Sequence, residues 1–419
     1  MKKYKEYKDS GVKWIGEIPK HWKKMRYKDI FEILDEKVGA IKNLTLLSLT
    51  KKGVIVRDLS EGKGKFPKDF ESYKIVHPNN LILCLFDVDE TPRTVGVSNT
   101  EGMITGAYDI FSVKNALLDY VYYLYLSFDD KKCLKPLYKG LRKVIPLPVL
   151  LSSYIYLPLE QEQQSIVNYL DTKVSKIDKY ISTAEKKIAA LDELKQVTIA
   201  DAVTHGINPN VPMINSGIPW IGMVPEHWKL TRIKFLFNEI SEKEHPEEPC
   251  LCSTQKYGVI PQSMYENRVV VVNKGLENLK FVRKGNFVIS LRSFQGGIEI
   301  AYYQGIISAA YTILSLGNKN ISSNYIKYLF KSSPFIQLLQ TCVTGIREGQ
   351  NINYELLRRQ FIPIPTLSQQ NEIVAYIDRK VAQIDKMKAA ELAQIEKLKE
   401  YKQRLISDVV TGKVKVTNE

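Results

Sequence analysis

Between residues 160 and 203, apolar side chains recur at alternating steps of four and three: Leu170, Val174, Ile177, Ile181, Ala184, Ile188 and Leu191. That spacing keeps one stripe turned toward a partner helix over many turns, so it predicts a long helix with a coiled-coil seam. Pro158 stands just outside it, and Glu160 and Glu162 lie in the first turn, where the helix dipole favours acids. Gly206 and Pro209 close the far end. About 44 residues rising ~1.5 Å each give a rod of roughly 65 Å. A second segment carries Ile377, Val381, Ile384, Ile395 and Leu398 at the same spacing, interrupted by Lys388 and Glu391. Three readings of that interruption stand open: a contact shifted to Leu392, charges paired with neighbours, or a third helix docking there.

Outside these stretches the pattern changes to short β-branched or aromatic runs between turn residues. Examples are Val269–Val272, Phe287–Leu291, Ile306-Ile307 and Tyr311–Leu314. Such runs predict strands.

Much of the chain is written twice, roughly 206 residues apart. Ser10 to Lys23 returns as Ser216 to Lys229, and Pro158 to Thr204 returns without a gap as Pro365 to Thr411. Asn79–Leu85 matches Gly285–Leu291, and Gly53-Val54-Ile55 matches Gly258-Val259-Ile260. The helical segments hold one constant offset while the globular ones drift, as expected of variable loops on a fixed frame. A long helix with a single apolar stripe needs a partner, and the cheapest is its own duplicate. Chain order makes that pairing antiparallel. The expected fold is therefore α+β: two mixed, β-rich domains separated by a long antiparallel two-helix coiled coil, with a pseudo-two-fold relation. The boundaries expected are 1–158, a first helix over 159–206, a second domain over 207–364 and a second helix over 365–419.

Composition narrows the function. The chain has 419 residues, 44% hydrophobic and 25% charged, which suits two globular domains. No run approaches the roughly 18 apolar residues of a membrane helix, and Met1–Glu6 lacks a signal-peptide core, so a cytosolic protein without a membrane association is expected. Five cysteines without a CxxC pair argue against both a disulfide framework and a metal site. The net charge of +14 is unevenly placed: 27 Lys/Arg against 19 Asp/Glu over 1–158, and 17 against 11 over 207–364. Two basic blocks of this kind attract a polyanion with sequence-independent affinity.

A search for enzyme chemistry finds little. Gly62-Lys63-Gly64-Lys65 lacks the rest of a phosphate loop, and Asn208-Pro209-Asn210-Val211 lacks the second proline and the aromatic of an amino-methyltransferase motif. His21 and His227 recur beside Trp22 and Trp228 and read as structural. What remains suits readout. Arg292, Ser293 and Gln295 follow a strand and precede Gly296-Gly297; Arg347 and Gln350 sit in a glycine-flanked loop whose counterpart holds Arg142 and Lys143; Arg93 occupies the first-block position of the Arg292 loop. Arginine fits guanine bidentately and glutamine fits adenine, whereas Lys63, Lys65 and Lys256 suit phosphates. On the helices, Gln164, Asn168, Asp171, Lys195, Asn371, Asp378 and Lys402 lie off the seam and are candidates for partner contacts.

Two segments carry a family resemblance. Trp-Ile-Gly-Glu-Ile-Pro-Lys-His-Trp over 14–22 and Trp-Ile-Gly-Met-Val-Pro-Glu-His-Trp over 220–228 open the two halves. Leu157–Val167 and Ile364–Val374 open the two helices. With both occurring twice, the whole chain resembles a specificity subunit of a type I restriction–modification system. The resemblance implies two target recognition domains, each reading half of a gapped, asymmetric site on double-stranded DNA. It also implies spacer helices that dock two methyltransferase subunits, with restriction subunits joining that core. The chain would have no catalytic activity and no cofactor of its own; S-adenosylmethionine, ATP and Mg²⁺ would belong to the partner subunits. The alternatives are a coiled-coil DNA-binding adaptor or a stand-alone nucleic-acid enzyme.

Overall fold

Short strands of buried aliphatic residues assemble an antiparallel sheet near the start of the chain. In the computed structural model, which describes residues 2–12, 15–39, 44–57, 70–139, 143–266, 274–345 and 351–416, four strands lie in the order Phe31–Leu34, Asp109–Val113, Leu81–Leu83, Val95–Val97. Phe111 stands opposite both Ile33 and Leu81, fixing the register. The same order returns as Phe237–Ile240, Thr312–Leu316, Phe287–Ile289, Glu299–Ile300. Side hairpins repeat as well, with Leu47–Thr50 against Gly53–Val56 and Leu251–Thr254 against Gly258–Pro261. The Val269–Val272 run lies outside the described residues.

The chain divides into two units. One holds Met1–Ala184 with Ala393–Glu419, and the other holds Glu185–Leu392. The division passes through the two long helices, Glu160–Thr204 and Leu367–Val410. In the first unit the core joins Trp22, Phe31, Phe111 and Tyr120 to Ile166 and Leu170 of one helix and Leu405, Ile406 and Val409 of the other. In the second it joins Trp228, Phe237, Phe287 and Phe330 to Ile199 and Val203 and to Ile373 and Ile377.

Buried tyrosines fasten each core to a helix end. The Tyr120 hydroxyl donates to the carbonyl of Val410 at 3.0 Å, and that of Tyr325 donates to the carbonyl of Val203 at 3.1 Å. Both carbonyls belong to last turns, which have no helical partner of their own. Gly206 and Gly412 follow at φ of 81° and 73°. A Cβ on Gly412 would lie 2.3 Å from Pro19 Cδ and 3.0 Å from Trp22. On Gly206 it would lie 3.2 Å from Trp228. The recurring tryptophans are thus the seats on which the helices end. The recurring histidines support the same corner: His21 Nε2 lies 2.8 Å from Glu162, and His227 Nε2 lies 2.7 Å from Gln369.

The helices pair antiparallel along the predicted seam. Leu170, Ile177, Ala184, Leu191, Ile377, Ile384 and Ile395 are buried, with Val174, Ile181, Ile188, Val381 and Leu398 partly so. In the second unit Lys187 meets Glu391 at 2.5 Å, Lys388 meets Asp192, and Lys195 meets Asp385 at 2.9 Å. Partners rise on one strand of the pair as they fall on the other. In the first unit Lys402 meets Asp178 at 2.7 Å. Lys388 and Glu391 therefore answer charges on the facing helix, and Leu392 stays half-exposed.

Candidate nucleic-acid interface

The second unit contains a cleft of about 940 Å³ that gathers residues from four segments, one of which brings Met264, Tyr265 and Glu266. The Thr254–Gly258 turn supplies Gln255, Lys256 and Tyr257, the short helix Ser293–Gly296 supplies Arg292 and Gln295 at its mouth, and the segment after Glu299–Ile300 supplies Tyr302 and Tyr303. The loops fit closely because glycine permits it. A Cβ on Gly296 would lie 2.5 Å from the Gln255 side chain, and one on Gly297 would lie 2.3 Å from the Phe330 carbonyl oxygen. Gly297 also has φ of 87°, a conformation that L side chains rarely adopt.

Lys256 and Arg292 form no ion pair among the described residues, although Lys256 Nζ lies 4.7 Å from the Tyr257 ring centroid. Tyr257, Tyr302 and Tyr303 are each more than two-fifths exposed. Glu266 also lines the cleft and acts on Lys256 through its charge, without an ion-pair contact; cations without such contacts, an amide and exposed rings suit a surface that meets phosphates and base edges. Ser293 plays a different part. It is buried, and its hydroxyl accepts the backbone N–H of Ser290 at 2.9 Å, so it shapes the loop that presents Arg292.

In the wall of the cleft, Glu299 is largely buried with its carboxylate 2.5 Å from Lys331 Nζ. The same ammonium donates to the Gln255 carbonyl at 3.2 Å. Burial pushes the Glu299 carboxyl up to about 7, with Lys331 pulling the other way. One lysine thus ties the Thr254–Gly258 turn to the sheet edge.

In the first unit the corresponding loop is chemically different. Arg93 lies 2.9 Å from Asp129 and 3.2 Å from Asp130. Asp129 also accepts from the Thr94 hydroxyl and from Lys132. Lys143 contacts Glu90 and lies 3.8 Å from Asp89. Arg93 and Lys143, picked as DNA contacts from sequence, are committed to carboxylates of their own unit. Lys63, Lys65, Arg142, Arg347 and Gln350 lie outside the described residues. The structure therefore brings together Lys256, Arg292, Ser293 and Gln295 and adds Gln255 and the tyrosines. The adjacent Tyr302-Tyr303, between a strand and Gly305, was the available sequence signal for that aromatic wall.

The helix-surface picks divide similarly. Asp171 accepts the Tyr123 hydroxyl at 2.7 Å, and Asp378 accepts that of Tyr328. Lys195 and Lys402 make the interhelical ion pairs given above. Gln164 donates to Asn168 within its own helix at 2.9 Å, and Asn371 is exposed. No group of three or more His, Cys, Asp or Glu among the described residues could hold a metal ion. No helix among them is long and apolar enough to cross a membrane.

Comparison with known proteins places this architecture. Residues 225–397 match the family model described as Type I restriction modification DNA specificity domain. The chain is 24% identical to the type I restriction enzyme MjaVIII specificity subunit of Methanocaldococcus jannaschii, covering 98% of each. Among solved structures it is similar, with a TM-score of 0.65 and 14% identity, to a chain of a type I R-M system described for its complex assembly and conformational transition. That match covers 94% of this chain and 98% of the other. It is also similar to the HsdS subunit from Thermoanaerobacter tengcongensis, with a TM-score of 0.50 and 15% identity, covering 95% and 98%.

Proposed function

We infer that this chain, which belongs to the specificity subunits of type I restriction–modification systems, is the DNA-recognition subunit of such a complex. It reads a bipartite, asymmetric duplex site, one half-site per β-rich unit, and docks methyltransferase and restriction subunits. One observation carries this reading: a single scaffold with one strand order occurs twice, while the loops at the equivalent sheet edge carry different chemistry. A repeated frame with divergent loops suits a ligand whose backbone repeats and whose sequence does not.

Residues 1–158 and 207–364 are the recognition domains in this reading, and 159–206 and 365–419 the spacer helices. The subunit is non-catalytic. S-adenosylmethionine, ATP and Mg²⁺ are assigned to its partners, two of them methyltransferase subunits, and the complex works in the cytoplasm. Exposed Asn371, Gln164 and Asn168 are the remaining helix-surface candidates for partner contacts, because the other four are engaged with side chains of another element.

Within the second unit, Arg292 and Gln295 are assigned to base edges and Lys256 to a phosphate. The test is Arg292→Ala in the assembled complex, with methylated positions mapped genome-wide. The expected result is relaxed preference at one or two positions of one half-site, a loss of about 1–3 kcal/mol of discrimination. Equal weakening on every sequence would remove Arg292 from base reading.

A further inference from the structure

A second cationic surface lies away from the variable loops, and it occurs in both units. In the first, strand Lys23–Arg26 pairs with Tyr154–Leu157, placing Arg26 directly opposite Tyr154. In the second, Lys229–Arg232 pairs with Phe361–Ile364, placing Arg232 directly opposite Phe361. The guanidinium carbon of Arg26 lies 5.6 Å from the Tyr154 ring centroid, and that of Arg232 lies 4.9 Å from the Phe361 centroid. Each pair has a lysine beside it. Lys24, on the strand itself, has its Nζ 4.0 Å from the Tyr154 centroid; Lys234, in the helical turn Ile233–Phe235 just past the other strand, has its Nζ 4.9 Å from the centroid of Phe235, which is 70% exposed.

The charges are not neutralised. None of Lys24, Arg26, Arg232 and Lys234 forms an ion pair among the described residues, in contrast to the paired Arg93, Lys132, Arg283 and Lys331. Asp29, the nearby acid, accepts the Arg26 backbone N–H at 3.2 Å. On the other side Glu355 is taken by Arg358 at 3.0 Å. A hydrogen bond from the Arg26 guanidinium to the Tyr154 hydroxyl at 3.5 Å, helped by the charges of Arg26 and Lys24, holds that phenol below its ordinary value.

We propose that these two equivalent cation–aromatic strand pairs, Arg26 with Tyr154 and Arg232 with Phe361, each with a further lysine two positions from the arginine, are phosphate-binding surfaces that hold the DNA backbone independently of sequence. The reasoning follows from what is duplicated. Base edges differ between half-sites and call for loops that differ; phosphates are alike everywhere and call for surfaces that are alike. Cations that form no ion pair within their own unit, among the described residues, stay available to phosphates of any sequence. The inference rests on the DNA-binding reading above, but it concerns affinity, not target choice.

The test uses the full chain assembled with its methyltransferase subunits and a duplex of unrelated sequence, with affinity measured from low to moderate salt. Lys24→Gln, Arg26→Gln, Arg232→Gln and Lys234→Gln are compared with the parent, with Arg26→Lys and Arg232→Lys as charge-preserving controls. Each Gln variant should lose about fivefold in affinity at 0.15 M salt and flatten the slope of log affinity against log salt by nearly one. The Lys controls should keep the slope, and the methylation pattern should be unchanged. Unaltered affinity and slope in the Gln variants would overturn the proposal. So would Gln variants that fold but no longer assemble with the methyltransferase subunits, which would make the surface a protein-docking face. A parent complex that binds with the expected slope but methylates without sequence preference would instead sink the specificity reading and leave this one standing.

Discussion

The two units share strand order, helix seats and the tyrosine that fastens each core to a helix end, yet they solve one electrostatic problem in opposite ways. At the sheet edge beside the loop that precedes the fourth strand, the first unit buries an acid from a helix, Asp129, and brings the base from the loop, Arg93. The second buries an acid from the strand, Glu299, and brings the base from a helix, Lys331. Asp129 is surrounded by partners: Arg93, the Thr94 hydroxyl and N–H, and Lys132. Glu299 has one cation and much burial. The same frame therefore tolerates an ion pair of either polarity, and among the described residues the carboxylate of the first unit gathers the larger set of donors. In the second, Lys256 and Arg292 form no ion pair among the described residues and line the cleft. Pairing inside the unit and availability to an outside anion compete for the same cations.

The sharpest way to break this comparison is to neutralise both acids. Asp129→Ala strips a buried charge from several donors and should cost about 3–5 kcal/mol in chemical denaturation. Glu299→Gln should behave differently, and its sign depends on pH. The folded-state value of Glu299, about 7, lies above its ordinary 4.5, so its contribution is fully present below pH 4.5 and is lost as pH rises through about 7. The parent should therefore lose up to about 3 kcal/mol relative to Glu299→Gln between those limits, measured as the difference between their stability–pH curves. Parallel curves for parent and variant would show that Glu299 is as well satisfied as Asp129.

A smaller contrast lies at the helix seats. Gly412→Ala forces a Cβ against Pro19 and Trp22 at positive φ and should cost about 2–4 kcal/mol in a thermal or denaturant melt. Gly206→Ala has more room and should cost about 1–2 kcal/mol, mainly from its backbone conformation. Equal losses would mean that both seats are equally tight. The smallest effect is expected at the seam, where Lys388 and Glu391 stand at the positions that Ile181 and Ala184 hold in the first helix. Replacing the two by Ile and Ala removes ion pairs to Asp192 and Lys187 that are partly exposed, and stability should move by less than about 1.5 kcal/mol.

These contrasts also mark how far the residues could be read before folding. The duplication, the helices and their seam were legible because a heptad stripe is local and repeats seven positions at a time. Leu170 and Ile384 are buried where periodicity put them. The strand runs at Leu81–Leu83 and Phe287–Ile289 were legible from β-branched and aliphatic clustering, and they are the equivalent inner strands of the two sheets. The site was legible only in part. Arg292, Gln295 and Lys256 stand out as polar residues near glycines, and all three line the one cleft. Arg93 and Lys143 carry the same outward signals, but Asp129 and Glu90 claim them from positions 36 and 53 residues away in sequence. No local pattern announces that a cation has already been spent.

Sequence alone determined that one unit is built twice, that each copy is β-rich and basic, and that long helices with an apolar stripe accompany them. These depend on period, composition and repetition, which neighbouring residues carry among themselves. Tertiary structure decided which cations meet carboxylates, where the recurring tryptophans sit, and that Arg26 and Arg232 each stand opposite an aromatic ring across a strand pair. Each of these is a pairing across long stretches of chain, and a charge acquires its partner only when folding brings the two within a few ångströms.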